Sequence, residues 1–166
     1  MIKSFIRVMS LALAMGFLLS ACGDKVDKSR LQGAEAAYRK GDYKTALDMF
    51  QAMAERGNPR AQFFLGEMYL SGSGVAKDYA QALKWASAAA EQKSSDAQYT
   101  LGMMYESGKG VAQDYVLAHM WYSLSATSGD EQAIRKKAEL ELRKMIATQI
   151  EQSKQMELKW IEAHNK

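Results

Sequence analysis

The sequence predicts an all-α protein, a solenoid of antiparallel helix pairs closed by a C-terminal helical cap. Three observations predict it. First, residues 61–90 recur 36 positions later with 17 identities: Ala61-Gln62, Leu65-Gly66, Met68-Tyr69, Ser71-Gly72, Gly74-Val75-Ala76, Asp78-Tyr79, Ala82, Trp85, Ser87 and Ala90 reappear between Ala97 and Ala126. A period in the thirties with small residues at fixed helical positions is the signature of stacked helix pairs. Second, apolar residues keep helical spacing on both sides of a glycine-bearing loop in each copy. Third, the stretch after Gly129 is apolar at helical spacing and densely charged elsewhere, as a terminal cap must be to meet solvent. Residues that repeat are explained by packing one unit on the next, so function is sought where the copies differ.

At the amino terminus, Lys3 and Arg7 precede an apolar run from Val8 to Leu19 and then Ser20-Ala21-Cys22-Gly23. The run is about half of what a membrane-spanning helix needs and lacks a basic stop-transfer flank. Residues 1–21 have the layout of a secretory signal, and the chain's one cysteine stands at the cleavage position. Leu19-Ser20-Ala21-Cys22 resembles the lipobox of bacterial lipoprotein precursors. The resemblance implies cleavage before Cys22, acylation of its thiol and amine, and a membrane attachment through that lipid. Gly23 at the second mature position implies sorting to the outer membrane, facing the periplasm, although Asp24 follows it. The competing reading is an ordinary cleaved signal that leaves a free thiol. No second cysteine is present for an intrachain disulfide.

The full chain of 166 residues carries a net charge of +3, but without Lys3 and Arg7 it holds 20 basic residues against 19 acidic ones. The densest basic cluster, Arg135-Lys136-Lys137, is surrounded by Glu131, Glu139 and Glu141, so nucleic acid is not an expected partner. The 145 residues from Cys22 onward suffice for one domain with a continuous core.

Residues 22–29 are polar without period and read as a tether. A divergent first helix pair spans 30–57. Leu31, Ala34, Ala37 and Tyr38 form one stripe, Gly41 ends it, and Asp42-Tyr43 opens a second stripe through Ala46, Leu47, Phe50, Met53 and Ala54. Tyr43, Ala46 and Phe50 resemble the second helix of a tetratricopeptide unit. Gly57-Asn58-Pro59 marks the next boundary: glycine suits the left-handed conformation past a helix end, asparagine caps, and proline fits the first helical position. The two clear units occupy 58–94 and 95–129. In each, Gly72 or Gly108 ends the first helix, Gly74 or Gly110 takes a positive-φ turn, and Asp78 or Asp114 caps the second helix. Gly66 lets a neighbouring helix come close.

Ala61, Leu65-Gly66, Tyr69, Gly72, Gly74-Val75, Asp78-Tyr79, Ala82 and Trp85 together resemble the Sel-1-like repeat, a longer-looped relative of the tetratricopeptide repeat. Ala97 to Tyr122 match it better, keeping the pair Trp121-Tyr122. The resemblance covers 61–129 strongly and 30–57 weakly. It implies a right-handed superhelical scaffold that binds a protein or peptide. Cysteine-rich members staple each helix pair with a disulfide; this chain lacks those cysteines, so activities of that branch do not transfer.

Residues 130–166 read as capping helices. Ser128 with Glu131, and Thr148 with Glu151, offer capping boxes. Ile134, Ala138, Leu142, Met145 and Ile146 run along an expected inward face, followed by Ile150, Met156, Leu158, Trp160 and Ile161.

The residues give little sign of catalysis. Gly72 to Lys77 superficially resembles a phosphate-cradling loop, but a helix precedes it, no serine or threonine follows Lys77, and the second copy has Gln113 there. His119 and His164 lie in different helices without a cysteine or paired carboxylates beside them, so no metal or cofactor is expected. His119 stands where the first copy has Leu83 and reads as a packing histidine. The serines at 71, 107, 123 and 125 lack a poised base. An envelope hydrolase or carbohydrate-modifying enzyme is the alternative, and it requires a cleft with coupled carboxylates that the sequence does not supply. The expected function is therefore a lipid-anchored interaction scaffold, either an envelope assembly or regulatory factor or an immunity-type lipoprotein that binds a toxic effector. First helices are expected to line the concave side. Positions there that vary between copies, namely Phe64, Glu67, Leu70, Thr100, Met103 and Glu106, form the candidate protein-binding surface.

Overall fold

A computed structural model describes residues 27–165, and in them eight helices follow one another. They are α1 (27–39), α2 (Tyr43–Ala54), α3 (Pro59–Ser71), α4 (Tyr79–Glu91), α5 (Ser95–Ser107), α6 (Tyr115–Ala126), α7 (Glu131–Arg143) and α8 (Ala147–His164). The signal at 1–21 and Cys22 lie outside the described residues. So does most of the tether, whose last three residues already belong to α1; Asp27 pairs with Arg56 at 3.2 Å.

Short polar side chains set the entries of α2 to α7. Asp42 accepts from Thr45 N, Asn58 from Ala61 N with Pro59 at the first position, and Ser94 from Ala97 N. Asp78 accepts from the amides of Ala80 and Gln81, and Asp114 from those of Val116 and Leu117, so each satisfies two donors that a helix start leaves orphaned. Gly72 and Gly108 end α3 and α5 in the left-handed conformation. Each long loop then closes on itself: Asp78 N donates to Tyr69 O, and Asp114 N to Tyr105 O, both at 3.0 Å.

Within a unit the first and second helices pack antiparallel, and each second helix then packs on the first helix of the next unit. The close approach requires small residues. A Cβ on Gly66 would lie 3.2 Å from Ala86 N, and one on Gly102 would lie 2.5 Å from the Tyr122 ring. The core runs as three clusters. Phe50, Met53, Leu65 and Met68 centre the first. Ala86, Ala89, Ala90, Ala97 and Leu101 form the second, and Tyr122, Ala133, Leu140 and Met145 the third. Buried glutamines tie units together at the backbone: Gln62 Nε2 donates to Ala54 O, and Gln98 Nε2 to Ala90 O.

The C-terminal part departs from its expected details. α7 begins after Asp130, not Ser128. Asp130 accepts from the amides of Gln132 and Ala133 while Ser125 Oγ donates to its other oxygen at 2.9 Å, a combination Ser128 cannot offer. α8 begins at Ala147, ahead of Thr148, because Ile146 is extended and its amide donates to Gln149 Oε1. Ile134, Ala138, Leu142 and Ile146 face solvent, Leu142 being 86% exposed, and Leu158 does so too; Ala133, Leu140, Met145 and Ser153 are buried, and Ile150 and Met156 pack inward against the third cluster, as expected of them. The reason lies in the helix order. α3, α5 and α7 start at 59, 95 and 131, so α7 keeps the 36-residue step as a first helix. Its own second helix is missing, since α8 lays itself on α6 instead. The molecule is thus a solenoid of paired antiparallel helices with a terminal capping helix.

Candidate protein-binding face

The 36-residue step aligns the first helices into rows. Ala61, Ala97 and Ala133 are buried, as are Met68, Met104 and Leu140, so these rows hold the helices together. Beside them run three rows that change character: Phe64, Thr100 and Lys136; Glu67, Met103 and Glu139; Leu70, Glu106 and Leu142. The first two members of each row are the six candidate residues, and the third members were not legible as part of the face.

Each candidate has a defined setting. Phe64 is half-buried and stacks on Phe50 of α2 at 4.8 Å with near-parallel rings, against Tyr38 of α1. Arg60, one turn earlier, holds its guanidinium 4.9 Å above the Phe64 ring. It bridges three first helices through Glu35 at 3.0 Å and Asp96 at 2.7 Å. Thr100 is only 3% exposed, and its hydroxyl donates to Glu67 Oε1 at 2.9 Å. It therefore supports Glu67 from behind rather than meeting solvent. Burial holds the Glu67 carboxyl above its ordinary range; the Thr100 hydrogen bond offsets part of this and Asp96 adds to it. Leu70 and Met103 are half-buried, with Met103 lying against the third core cluster.

Glu106 is drawn into a different network. The Tyr122 hydroxyl donates to its Oε2 at 2.7 Å, and Lys136 lies 3.3 Å away. Burial, followed by that hydrogen bond, pushes the Tyr122 phenol far up and keeps it a neutral donor. Burial alone would lower the Lys136 ammonium, but Glu106 and Glu139 outweigh it and its value is raised. The structure thus joins Glu67 with Thr100 directly, and leaves Glu106 in a separate ion cluster one row away.

The turn and cap residues are arranged alike in both units. Gly74 and Gly110 have φ of 75° and 76°, and Gly72, Gly108, Asp78 and Asp114 serve as caps. Gly74 and Gly110 have a second role that spacing along the chain does not show: each loop presses on the first residue of the preceding second helix, Tyr43 or Tyr79. No glycine loop follows α7, and Tyr115, the third member of that series, instead has the Lys144 Nζ 5.8 Å from its ring centre.

His119 is fully buried, with Nδ1 2.8 Å from Ser153 Oγ and Nε2 2.8 Å from Glu141 Oε1. The carboxylate accepts, so Nε2 carries a proton, and Nδ1 pairs with the Ser153 hydroxyl. Serine, histidine and glutamate in series have the composition of a hydrolytic triad, but Ser153 is wholly buried and no substrate carbonyl can reach it. The array instead ties α6, α7 and α8 together, along with an edge contact of Trp121 and Trp160. Among the described residues no group of three or more His, Cys, Asp or Glu could hold a metal ion, and no helix is long and apolar enough to cross a membrane.

Comparison with known proteins gives the family. The Sel1 repeat matches residues 30–58, 59–94 and 95–130. No curated protein matches the chain by sequence. Among solved structures, a protective antigen with an SLR fold from uropathogenic Escherichia coli strains is similar over 83% of this chain and 30% of its own, with 32% identity and a TM-score of 0.78. A Sel1 repeat protein from Oxalobacter formigenes is similar over 66% of this chain and 45% of its own, again at 32% identity, with a TM-score of 0.63. This chain therefore spans less than half the length of either. Three matched units in register with the helix pairs place the chain in the Sel1 repeat family, whose fold is a protein–protein interaction module.

Proposed function

We propose that this protein is a lipid-anchored, periplasm-facing scaffold that binds a protein or peptide across the concave face carrying Phe64, Glu67, Leu70, Met103 and Glu106, with Thr100 behind Glu67. One observation carries the reading. The first-helix rows 61/97/133 and 68/104/140 bury side chains of one kind from unit to unit, whereas the rows 64/100/136, 67/103/139 and 70/106/142 vary in charge and size and, Thr100 apart, stay at least partly open. Packing explains the first set and leaves the second free for recognition. The anchor rests on Leu19 to Cys22 behind the apolar run. Within this reading the role is envelope assembly or regulation, or immunity to a toxic effector, and an adjacent secreted-toxin gene argues for the latter.

Capture of an envelope partner by the soluble chain that begins after Cys22 tests the face. Met103→Asp should leave circular dichroism and melting close to wild type and weaken capture at least tenfold, about 1.4 kcal/mol. Normal capture by that variant, with loss of capture on charge reversal over the outer side of 135–144, would move recognition to the terminal cap.

A further inference from the structure

Two cations of the first helices, Arg60 and Lys136, take up four carboxylates between them, and a fifth stands apart. Arg60 holds both Glu35 and Asp96, and Lys136 holds both Glu106 and Glu139. Glu67 lies between these two clusters and has no cation within ion-pair distance among the described residues; its single partner is the neutral Thr100 hydroxyl. That bond uses Oε1. Oε2 makes no hydrogen bond to a described residue, yet it is not sealed away, since Ser123 Oγ is the one buried polar side-chain atom left without a partner among them. A mostly buried carboxylate with one oxygen held and the other open is half of an ion pair.

Its surroundings select the other half. Phe64 lies one turn before Glu67 on α3, Leu70 nearly one turn after it, and Met103 is its counterpart in the next unit. All three are apolar and half-buried. An apolar rim around one open carboxylate matches a side chain with an aliphatic stem and a cationic tip, which buries its methylenes and delivers its charge. Arg60 and Lys136, the cations that flank Glu67, already hold two carboxylates each and offer little to an acidic partner.

Resting on the docking face proposed above, we infer that the partner presents a basic segment, and that one lysine or arginine flanked by apolar residues enters between Phe64 and Met103 to pair with Glu67. The ion pair would form in partly desolvated surroundings, where removing one member costs more than at an open surface.

The test uses the soluble chain and an eight-residue peptide with one lysine between leucines. Its control replaces that lysine with norleucine, which lacks only the ammonium. Binding is followed by nuclear magnetic resonance on the methionine and threonine methyl groups. The expected result is saturable movement of the Met103 and Thr100 signals, with the lysine peptide binding at least tenfold more tightly, and loss of that preference in Glu67→Gln. Equal affinity for the two peptides, with Met103 still shifting, would overturn the cation site and leave the docking face standing. A lysine preference that survives Glu67→Gln would place the charge contact elsewhere and overturn it as well. If neither peptide moves Met103, the cation site and the docking face fall together.

Discussion

Gly110→Ala is the sharpest probe of how the units are joined, because the same loop contains its own control. At φ 76° an alanine pays left-handed strain of about 1–2 kcal/mol. Its Cβ would also lie 2.7 Å from Tyr79 O and 3.0 Å from Tyr79 C, atoms of the backbone that starts α4 in the preceding unit. Backbone at a capped helix start cannot swing aside as a side-chain tip does, so the units must part slightly, an overpacking cost of about 1–3 kcal/mol. The sum is about 2–5 kcal/mol. Gly108 has nearly the same φ of 70°, but a Cβ there meets nothing closer than Gln113 Cβ at 3.4 Å, which is ordinary contact. Gly108→Ala should therefore cost the strain alone, about 1–2 kcal/mol. Taking about 3 °C per kcal/mol for a domain of this size, Gly110→Ala should lower Tm by about 6–15 °C and Gly108→Ala by about 3–6 °C. Thermal unfolding of the purified soluble chain, followed by circular dichroism at fixed pH, decides it. Equal losses would refute the close-approach argument; no loss in either would refute the positive-φ argument too.

Other consequences are open to direct measurement. Because burial raises the Glu67 carboxyl above the ordinary glutamate value of 4.5, ionising it opposes folding; the cost is absent below that value and grows as pH rises through the raised one. Glu67→Gln should thus gain Tm relative to wild type between pH 4 and pH 8, and a difference constant with pH would contradict this. Cys22→Ser should abolish incorporation of labelled fatty acid while leaving the helical fold intact, and persistent labelling would remove the anchor from the proposal. His119→Leu should cost about 1–3 kcal/mol, since the buried Ser153 hydroxyl loses its partner, and should loosen Trp160 as read by its fluorescence. A variant as stable as wild type, as Leu83 at the equivalent place invites, would show that the histidine does not hold α8.

How much could be read from the residues depends on how local each cause is. The caps at Asp42, Asn58, Asp78 and Asp114 and the positive-φ glycines act within a few residues, so spacing alone reveals them. Thr100 illustrates the opposite case. Its place is taken by Phe64 in the first copy, which marks it as free to vary, but it is buried and its hydroxyl donates to Glu67, 33 residues away. The C-terminal stripe failed for a related reason. Spacing by four places Ile134, Ala138 and Leu142 on one side of α7, and periodicity says nothing about what lies opposite that side. Two other positions held the information: Ala133 continues Ala61 and Ala97, and Leu140 continues Met68 and Met104, so the inward side of α7 was already determined by the repeat. Extending the repeat explains the rest. Gly66 and Gly102 sit where a first helix meets its own second helix, and α7 has Ala138 there; Leu65 and Leu101 become Lys137. With only 144–146 between α7 and α8, there is no glycine loop to deliver a paired helix, and α8 crosses to α6, where His119 and Trp121 receive it. The solenoid thus ends by keeping the first helix of a unit in register and replacing the loop and second helix that would complete it.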